Sequence, residues 1–162
     1  MKREEPIEMF MPPNMLKAKM GGGHNAGLDM AALKRAEQAM EELKGKFGDW
    51  LIEDLRVLAT ARSAYAENQK PEARAALLRA AHDIKGQATT FSFPLISRVA
   101  GSLSKLIGEV PETAALSLPL IDAHVNAMLV IHKQAMQGTA DEIALALCKE
   151  LEARVEELLP SK

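Results

Sequence analysis

The chain has 162 residues, enough for one compact domain but too few for a kinase or nucleotide-binding core with a second catalytic module. Apolar residues make up 48% of the chain and aromatic residues only 4%, which is typical of packed helices and argues against a β-sandwich. Its 20 basic and 22 acidic residues give a net charge of -2, so neither a nucleic-acid-binding surface nor a polybasic membrane patch is indicated.

The cysteine and hydropathy patterns favour a reducing compartment. Cys148 is the single cysteine, which excludes an intrachain disulfide and any CxxC motif. No run approaches the roughly 20 apolar residues that span a bilayer, and residues 1–20 carry charges and prolines where a signal peptide needs an apolar stretch. We therefore expect a cytoplasmic protein without membrane insertion.

The first 27 residues differ in composition from the rest of the chain. They contain three prolines, the run Gly21-Gly22-Gly23 and Gly27, which together disfavour a helix. We predict a disordered N-terminal arm over residues 1–27 and a single helical-bundle domain over residues 28–160. Apolar residues in the arm leave a short docking peptide as an alternative to a plain tail: Met9, Phe10, Met11, Met15 and Leu16.

Apolar residues recur at helical spacing through the remaining sequence and predict six helices. Asp29 can cap the first helix, and Gly45 and Gly48 are expected to end it. The predicted buried stripe of this helix is Leu33, Ala36, Met40, Leu43 and Phe47. The next four helices are predicted over residues 49–67, from Pro71 to about Phe93, and over residues 94–108 and 118–137.

The last predicted helix follows a stop at Gly138 and a capping box formed by Thr139 and Glu142. Its predicted buried stripe is Ile143, Leu147, Leu151, Val155 and Leu158. Because six amphipathic helices joined by short loops must bury their apolar stripes, we predict an all-α protein. The expected architecture is an antiparallel four-helix bundle with additional N- and C-terminal helices.

Packing alone does not explain residues 81–91 of the third predicted helix. The stripe that this helix presents to the core is Leu77, Ala81, Ile84, Ala88 and Phe91. Gly86 stands in mid-helix, where glycine costs about 0.5–1 kcal/mol relative to alanine. The spacing places His82, Lys85, Gly86 and Thr89 in one exposed patch. A nucleophilic ring nitrogen, a nearby cation and space for a large partner suit the acceptance of a phosphoryl group.

With these residues the chain resembles the histidine phosphotransfer (HPt) domain of bacterial multistep phosphorelays. The motif H-x-[hydrophobic]-K-G-x-[small], with its following apolar position, is matched by His82, Ile84, Lys85, Gly86, Ala88 and Phe91. Two positions depart from the family pattern. Ser92 stands where a glycine is common, and Gln87 replaces a frequent small hydroxyl residue.

The resemblance implies that neutral His82 accepts a phosphoryl group from an aspartate of one receiver domain and passes it to an aspartate of another. The partners would be response-regulator receiver domains and a histidine kinase or hybrid histidine kinase. Lys85 would stabilise the charge of the transferring group, and Gly86 would leave clearance for the partner. We expect Leu78, Gln87 and Thr89 to contact the partner.

The chain itself is expected to bind no cofactor. No cluster of carboxylates lies near this helix in the sequence, so the Mg²⁺ ion should come from the partner receiver domain. A glycine-rich loop of P-loop spacing is also missing, which argues against ATP-dependent kinase activity. The protein would then be a phosphoryl carrier rather than a turnover enzyme.

The sequence leaves two other functions as alternatives. The first is a helical adaptor that binds receiver domains or other proteins without carrying phosphate. The second, a metal-binding bundle enzyme, is disfavoured because His124 and His132 are eight residues apart instead of three or four. We interpret His132 as a hydrogen-bonded core histidine and Cys148 as a small buried hydrophobic residue.

Overall fold

A computed structural model of the protein describes residues 29–137 and 142–160. Within these residues the chain forms five helices and no strand: α1 (Met30–Asn68), α2 (Pro71–Thr90), α3 (Pro94–Glu109), α4 (Leu118–Gln137) and α5 (Glu142–Leu158). The predicted all-α, antiparallel bundle is confirmed. The predicted arm over residues 1–27, the stop at Gly138 and the cap at Thr139 lie outside the described residues.

The chain divides into two compact units, Met1–Gln38 and Ala39–Lys162. In the first unit, the described residues form the opening turns of α1, and their side chains are exposed. Asp29 caps the helix as predicted, because its carboxylate accepts a hydrogen bond from the Ala31 backbone N–H at 3.1 Å.

The predicted break at Gly45 and Gly48 is wrong, since α1 continues through both glycines to Asn68. A glycine inside a helix costs only about 0.5–1 kcal/mol relative to alanine, which is too little to end a helix whose second half is anchored in the core. That second half buries Leu51, Leu55, Leu58 and Tyr65. Most of the stripe predicted for the first half is exposed instead, including Met40 at 71% and Leu43 at 48%.

The core of the second unit is built around α3, which packs against α2, α4 and α5. Its buried apolar residues are Ile96, Val99, Ala100, Leu103, Leu106 and Ile107. Polar contacts also join α1 to the bundle. The Tyr65 hydroxyl accepts a hydrogen bond from the Leu116 N–H at 3.0 Å, and the Arg62 guanidinium lies 2.5 Å from the Asp122 carboxylate.

A tight turn joins α2 to α3 and fixes where α3 begins. The Phe93 N–H donates to the Ala88 carbonyl at 2.8 Å, and the Ser92 N–H donates to the Thr89 carbonyl at 3.3 Å. These two bonds form a Schellman motif, whose residue after the C-cap adopts the left-handed conformation. Ser92 does so with φ of 64°. The glycine common at this position in the HPt pattern therefore has a conformational reason, although this chain has serine.

At the opposite end of this helix pair, Arg74 of α2 satisfies the carbonyl groups that α3 leaves free. Its guanidinium donates to the Ile107 carbonyl at 2.7 Å and to the Val110 carbonyl. It also donates at 3.2 Å to the carbonyl groups of Pro111 and Ala114 in the following loop. Polar contacts thus fix α3 against α2 at both ends, which sets their register.

The stripe predicted for the last helix, α5, is confirmed at Leu151 and Val155 but is wrong at its two ends. Its buried residues are Ala144, Cys148, Leu151 and Val155, whereas Ile143 is 63% exposed and Leu158 is 53% exposed. The buried set also follows helical spacing, and the packing of α5 against α3 and α4 selects it. The interpretation of Cys148 as a small buried hydrophobic residue is confirmed by its exposure of 1%.

Candidate functional site

The buried face of α2 fixes the direction of His82. Leu77, Ala81, Ile84 and Ala88 are each fully buried, so the helix cannot rotate about its axis without exposing them. The opposite face therefore points to solvent, and His82 is exposed there. The structure places the imidazole where a partner protein could reach it.

A shallow surface depression of about 290 Å³ lies beside this histidine. Its lining residues are His82, Asp83, Gly86, Gln87, Thr90 and Phe91. A Cβ atom added at Gly86 would meet nothing within 4 Å. Packing within the chain therefore does not require a glycine at this position. The missing side chain leaves open space on the outer surface of the helix.

Lys85 is also exposed, but it lies on the other side of His82. At about 100° per residue, Lys85 is rotated about 60° to one side of His82 and Gly86 about 40° to the other. The Lys85 side chain extends across α3, where its Cε atom would lie 3.6 Å from a Cβ added at Gly101. The predicted patch is thus divided, with the cation towards α3 and the depression towards α1.

The backbone below Lys85 is held by two hydroxyl groups. Ser97 of α3 donates a hydrogen bond to the Lys85 carbonyl at 2.7 Å. The Thr89 hydroxyl donates to the same carbonyl at 3.1 Å and lies 2.8 Å from the Ser97 hydroxyl. Thr89, predicted as a partner contact, is exposed and also belongs to this cluster.

An aromatic cluster adjoins the depression on the α1 side. The rings of Phe47 and Phe91 are stacked with centroids 4.8 Å apart, and Trp50 lies 5.7 Å from Phe91. Trp50 is 54% exposed. The sequence reasoning did not single out Trp50, although it lies one helical turn after Phe47 in the extension of the α1 stripe.

Leu78 and Gln87, the other two residues predicted to contact the partner, line different cavities. Leu78 is half-buried against the core and lines a second cavity of about 390 Å³, together with Arg74 and Gly108. Gln87 is half-buried and lines the depression beside His82.

Asp83, which lines the depression, belongs to an acidic group with Asp54 and Glu53 of α1. Burial raises the pKa of Asp54, and repulsion by Asp83 and Glu53 raises it further. One oxygen of Asp54 is buried without a hydrogen-bond partner in the described part of the chain. Asp83 itself lines the depression beside His82. The charge here is negative, whereas the α3 side carries the Lys85 cation.

The two histidines of α4 have structural partners. The Nδ1–H of His124 donates to the Leu120 carbonyl at 2.7 Å, so its Nε2 accepts from the Ser102 hydroxyl at 3.0 Å. Burial lowers the pKa of this fully buried imidazole. His132 donates through Nε2 to the Gly48 carbonyl at 2.8 Å, which confirms that it is hydrogen-bonded, but it is half-buried and not enclosed in the core as predicted.

The sequence reasoning did not identify His124 as the fully buried histidine of the pair. Its position three residues after Ile121 and four before Met128 is a signal that could have found it. Among residues 29–137 and 142–160, no group of three or more His, Cys, Asp or Glu side chains could hold a metal ion.

Comparison with known proteins identifies a family for this chain. A family model described as "Hpt domain" matches residues 42–159. Searches of curated proteins and of solved structures each found no significant match. None of the helices in the described residues is long and apolar enough to cross a membrane.

Proposed function

Because the chain belongs to the Hpt domain family, which acts in histidine phosphotransfer within phosphorelays, we propose that His82 relays a phosphoryl group between receiver-domain aspartates. The partners in this proposal are response-regulator receivers and a histidine kinase or hybrid histidine kinase. The relay would operate in the cytoplasm.

The single observation that carries the proposal is the exposed pair His82 and Gly86. A surface histidine is common, but a mid-helix glycine that faces open space one turn later is not explained by folding. Both features are useful if the loops of another protein must approach the imidazole closely. The depression between them supplies that space.

The reaction follows from the chemistry of imidazole. A ring nitrogen of neutral His82 attacks the phosphorus of an aspartyl phosphate in line, so an N–P bond forms while the P–O bond to the aspartate breaks. The aspartate leaves as a carboxylate with the electron pair of that bond. Transfer to the second receiver reverses these bond changes. Lys85 stabilises the equatorial oxygens, and the partner supplies Mg²⁺ together with its carboxylate ligands.

The proposal is tested by mixing the purified protein with a phosphorylated receiver and following the label. We expect acid-labile, base-stable phosphate on the protein, mapped to His82 by mass spectrometry. The His82→Gln variant should accept none, whereas His132→Gln should accept phosphate at the normal rate because His132 lies in a different environment.

The adaptor alternative gives a different result in the same assay. An adaptor would bind receivers from a broad panel without acquiring phosphate from any of them. Label that persists in His82→Gln would show that another residue is the acceptor and would refute the assignment of His82.

A further inference from the structure

We infer that Ser97 and Gly101 of α3 are positioning residues that direct Lys85 towards the phosphoryl group on His82. The inference rests on the proposed function, since it concerns a reaction at His82. Both residues belong to the helix that packs beside α2: Ser97 bonds to the Lys85 backbone, and the Lys85 side chain passes the point where a Cβ atom at Gly101 would stand.

The backbone contact is the bond from the Ser97 hydroxyl to the Lys85 carbonyl, at 2.7 Å. This carbonyl also accepts from the Thr89 hydroxyl at 3.1 Å. The hydroxyl groups of Thr89 and Ser97, which lie on different helices, are 2.8 Å apart, and because each has a single hydrogen, a bond between them alternates with a bond to the carbonyl. The turn of α2 that carries Lys85 is therefore tied directly to the first turns of α3.

The path of the Lys85 side chain runs past Gly101. A Cβ atom there would lie 3.6 Å from Cε, 3.7 Å from Cδ and 4.0 Å from Nζ of Lys85. An alanine would make ordinary van der Waals contact, whereas a longer side chain would occupy the path of the lysine. Gly101 and Ser97 are four residues apart on α3 and so face α2 together.

The charge of Lys85 is also left available for a ligand. The other cations along this side of α3 include Arg98, which forms a double hydrogen bond with Glu152 of α5 at 2.5 and 2.7 Å. Lys105 forms an ion pair with Glu156. Among the described residues no carboxylate forms an ion pair with Lys85, so its ammonium group can meet an incoming anion without first breaking an ion pair.

The test is a double-mutant cycle measured as the single-turnover rate of transfer from a phosphorylated receiver. We expect Lys85→Gln to slow transfer by about tenfold or more, because a cation on the transferring group is lost. Gly101→Leu and Ser97→Ala should each slow it by about three- to tenfold, with little change in receiver affinity. In the Lys85→Gln background, the same two substitutions should have less than about a twofold effect.

Three controls separate positioning from damage to the fold. Ser97→Thr keeps the hydroxyl and should transfer at close to the wild-type rate. Ser63→Ala removes a comparable exposed hydroxyl bond, to the Ala59 carbonyl in α1, and should not change the rate. Thermal melts show whether Gly101→Leu is folded. If it is not, the cycle of Ser97→Ala with Lys85→Gln decides the question alone.

Two results would overturn the inference. One is a folded Gly101→Leu or Ser97→Ala protein that transfers at the wild-type rate. The other is a rate loss that multiplies fully with that of Lys85→Gln, since the residues would then act independently of the lysine. Failure of the proposed function is distinct, because the wild-type protein would then accept no phosphate on His82 at all.

Discussion

Replacing Gly86 by leucine should make the protein more stable and less active. Gly86 lies inside α2, four residues before its last residue, and a Cβ atom added there meets nothing within 4 Å. The substitution therefore creates no clash within the chain. It does place a branched side chain beside His82, in the depression that a partner is proposed to enter.

The expected gain in stability comes from the backbone. Glycine is about 0.8–1.0 kcal/mol less favourable than alanine in a helix interior, and leucine is close to alanine. We expect the free energy of unfolding to rise by about 0.7 kcal/mol, which corresponds to a melting temperature about 2–3 °C higher for a protein of this size. Overpacking a protein core costs about 1–3 kcal/mol, and we expect a similar cost where the leucine side chain crowds the docked partner. Transfer should therefore slow by about 5- to 150-fold.

Gly45→Leu provides the matched control. Gly45 is also inside a helix, and a Cβ atom added there likewise meets nothing within 4 Å. It lines neither the depression beside His82 nor the aromatic cluster. Gly45→Leu should show a similar rise in melting temperature with a normal transfer rate.

The assay combines thermal melts with single-turnover transfer from a phosphorylated receiver for the wild type and both variants. Normal transfer by a well-folded Gly86→Leu protein would refute the clearance argument. A lower melting temperature would show instead that Gly86 is needed for packing.

The remaining predictions concern stability and docking. Ser92→Gly should raise the free energy of unfolding in urea titrations by about 0.5–1 kcal/mol, because φ of 64° is unfavourable for serine, and Ser92→Val should lower it. Burial lowers the pKa of His124, so the unfolded state binds a proton at this residue more readily than the folded state does. The free energy of unfolding should therefore be highest above the unfolded-state pKa of about 6.5 and should fall as the pH drops below that value. Melts across this range should show a smaller pH dependence for His124→Gln. Arg74→Ala should reduce the free energy of unfolding by about 2–3 kcal/mol in urea titrations, because carbonyl groups at the end of α3 lose a charged donor. Leu78→Ala should weaken receiver binding by about 1 kcal/mol in calorimetric titration. Its loss of stability should be smaller than that of Leu77→Ala, because the Leu77 side chain is fully buried. Unchanged binding with a much lower melting temperature would assign Leu78 to the core.

Helical periodicity by itself determined the orientation of α2. The spacing of Leu77, Ala81, Ile84 and Ala88 defines one buried face, and the rotation of 100° per residue then places His82 on the opposite side. The bounds of α4 also agree with the sequence prediction of residues 118–137. These features depend on residues close together in the chain, so the local pattern contains the information.

Long-range packing decided where α1 ends and which residues of α5 are buried, because the sequence pattern allows more than one answer for each. The sequence contains two glycines that could end a helix near residue 45, but α1 continues because its second half is anchored by the bundle. The choice between Ile143 and Ala144 as a buried position of α5 depends on the direction from which α3 and α4 approach. Helical propensity and amphipathicity do not define that direction.

The surroundings of His82 likewise come from residues far away in the sequence. Periodicity placed Lys85 on the exposed face, but only the packing of α3 brought Ser97 and Gly101 against it. The aromatic contact between Phe47 and Phe91 joins two helices in the same way. A local sequence pattern specifies the direction in which a side chain leaves its own helix. The groups that the side chain meets depend on the register between helices. Between α2 and α3, that register is fixed by the turn at Ser92 and by the hydrogen bonds of Arg74.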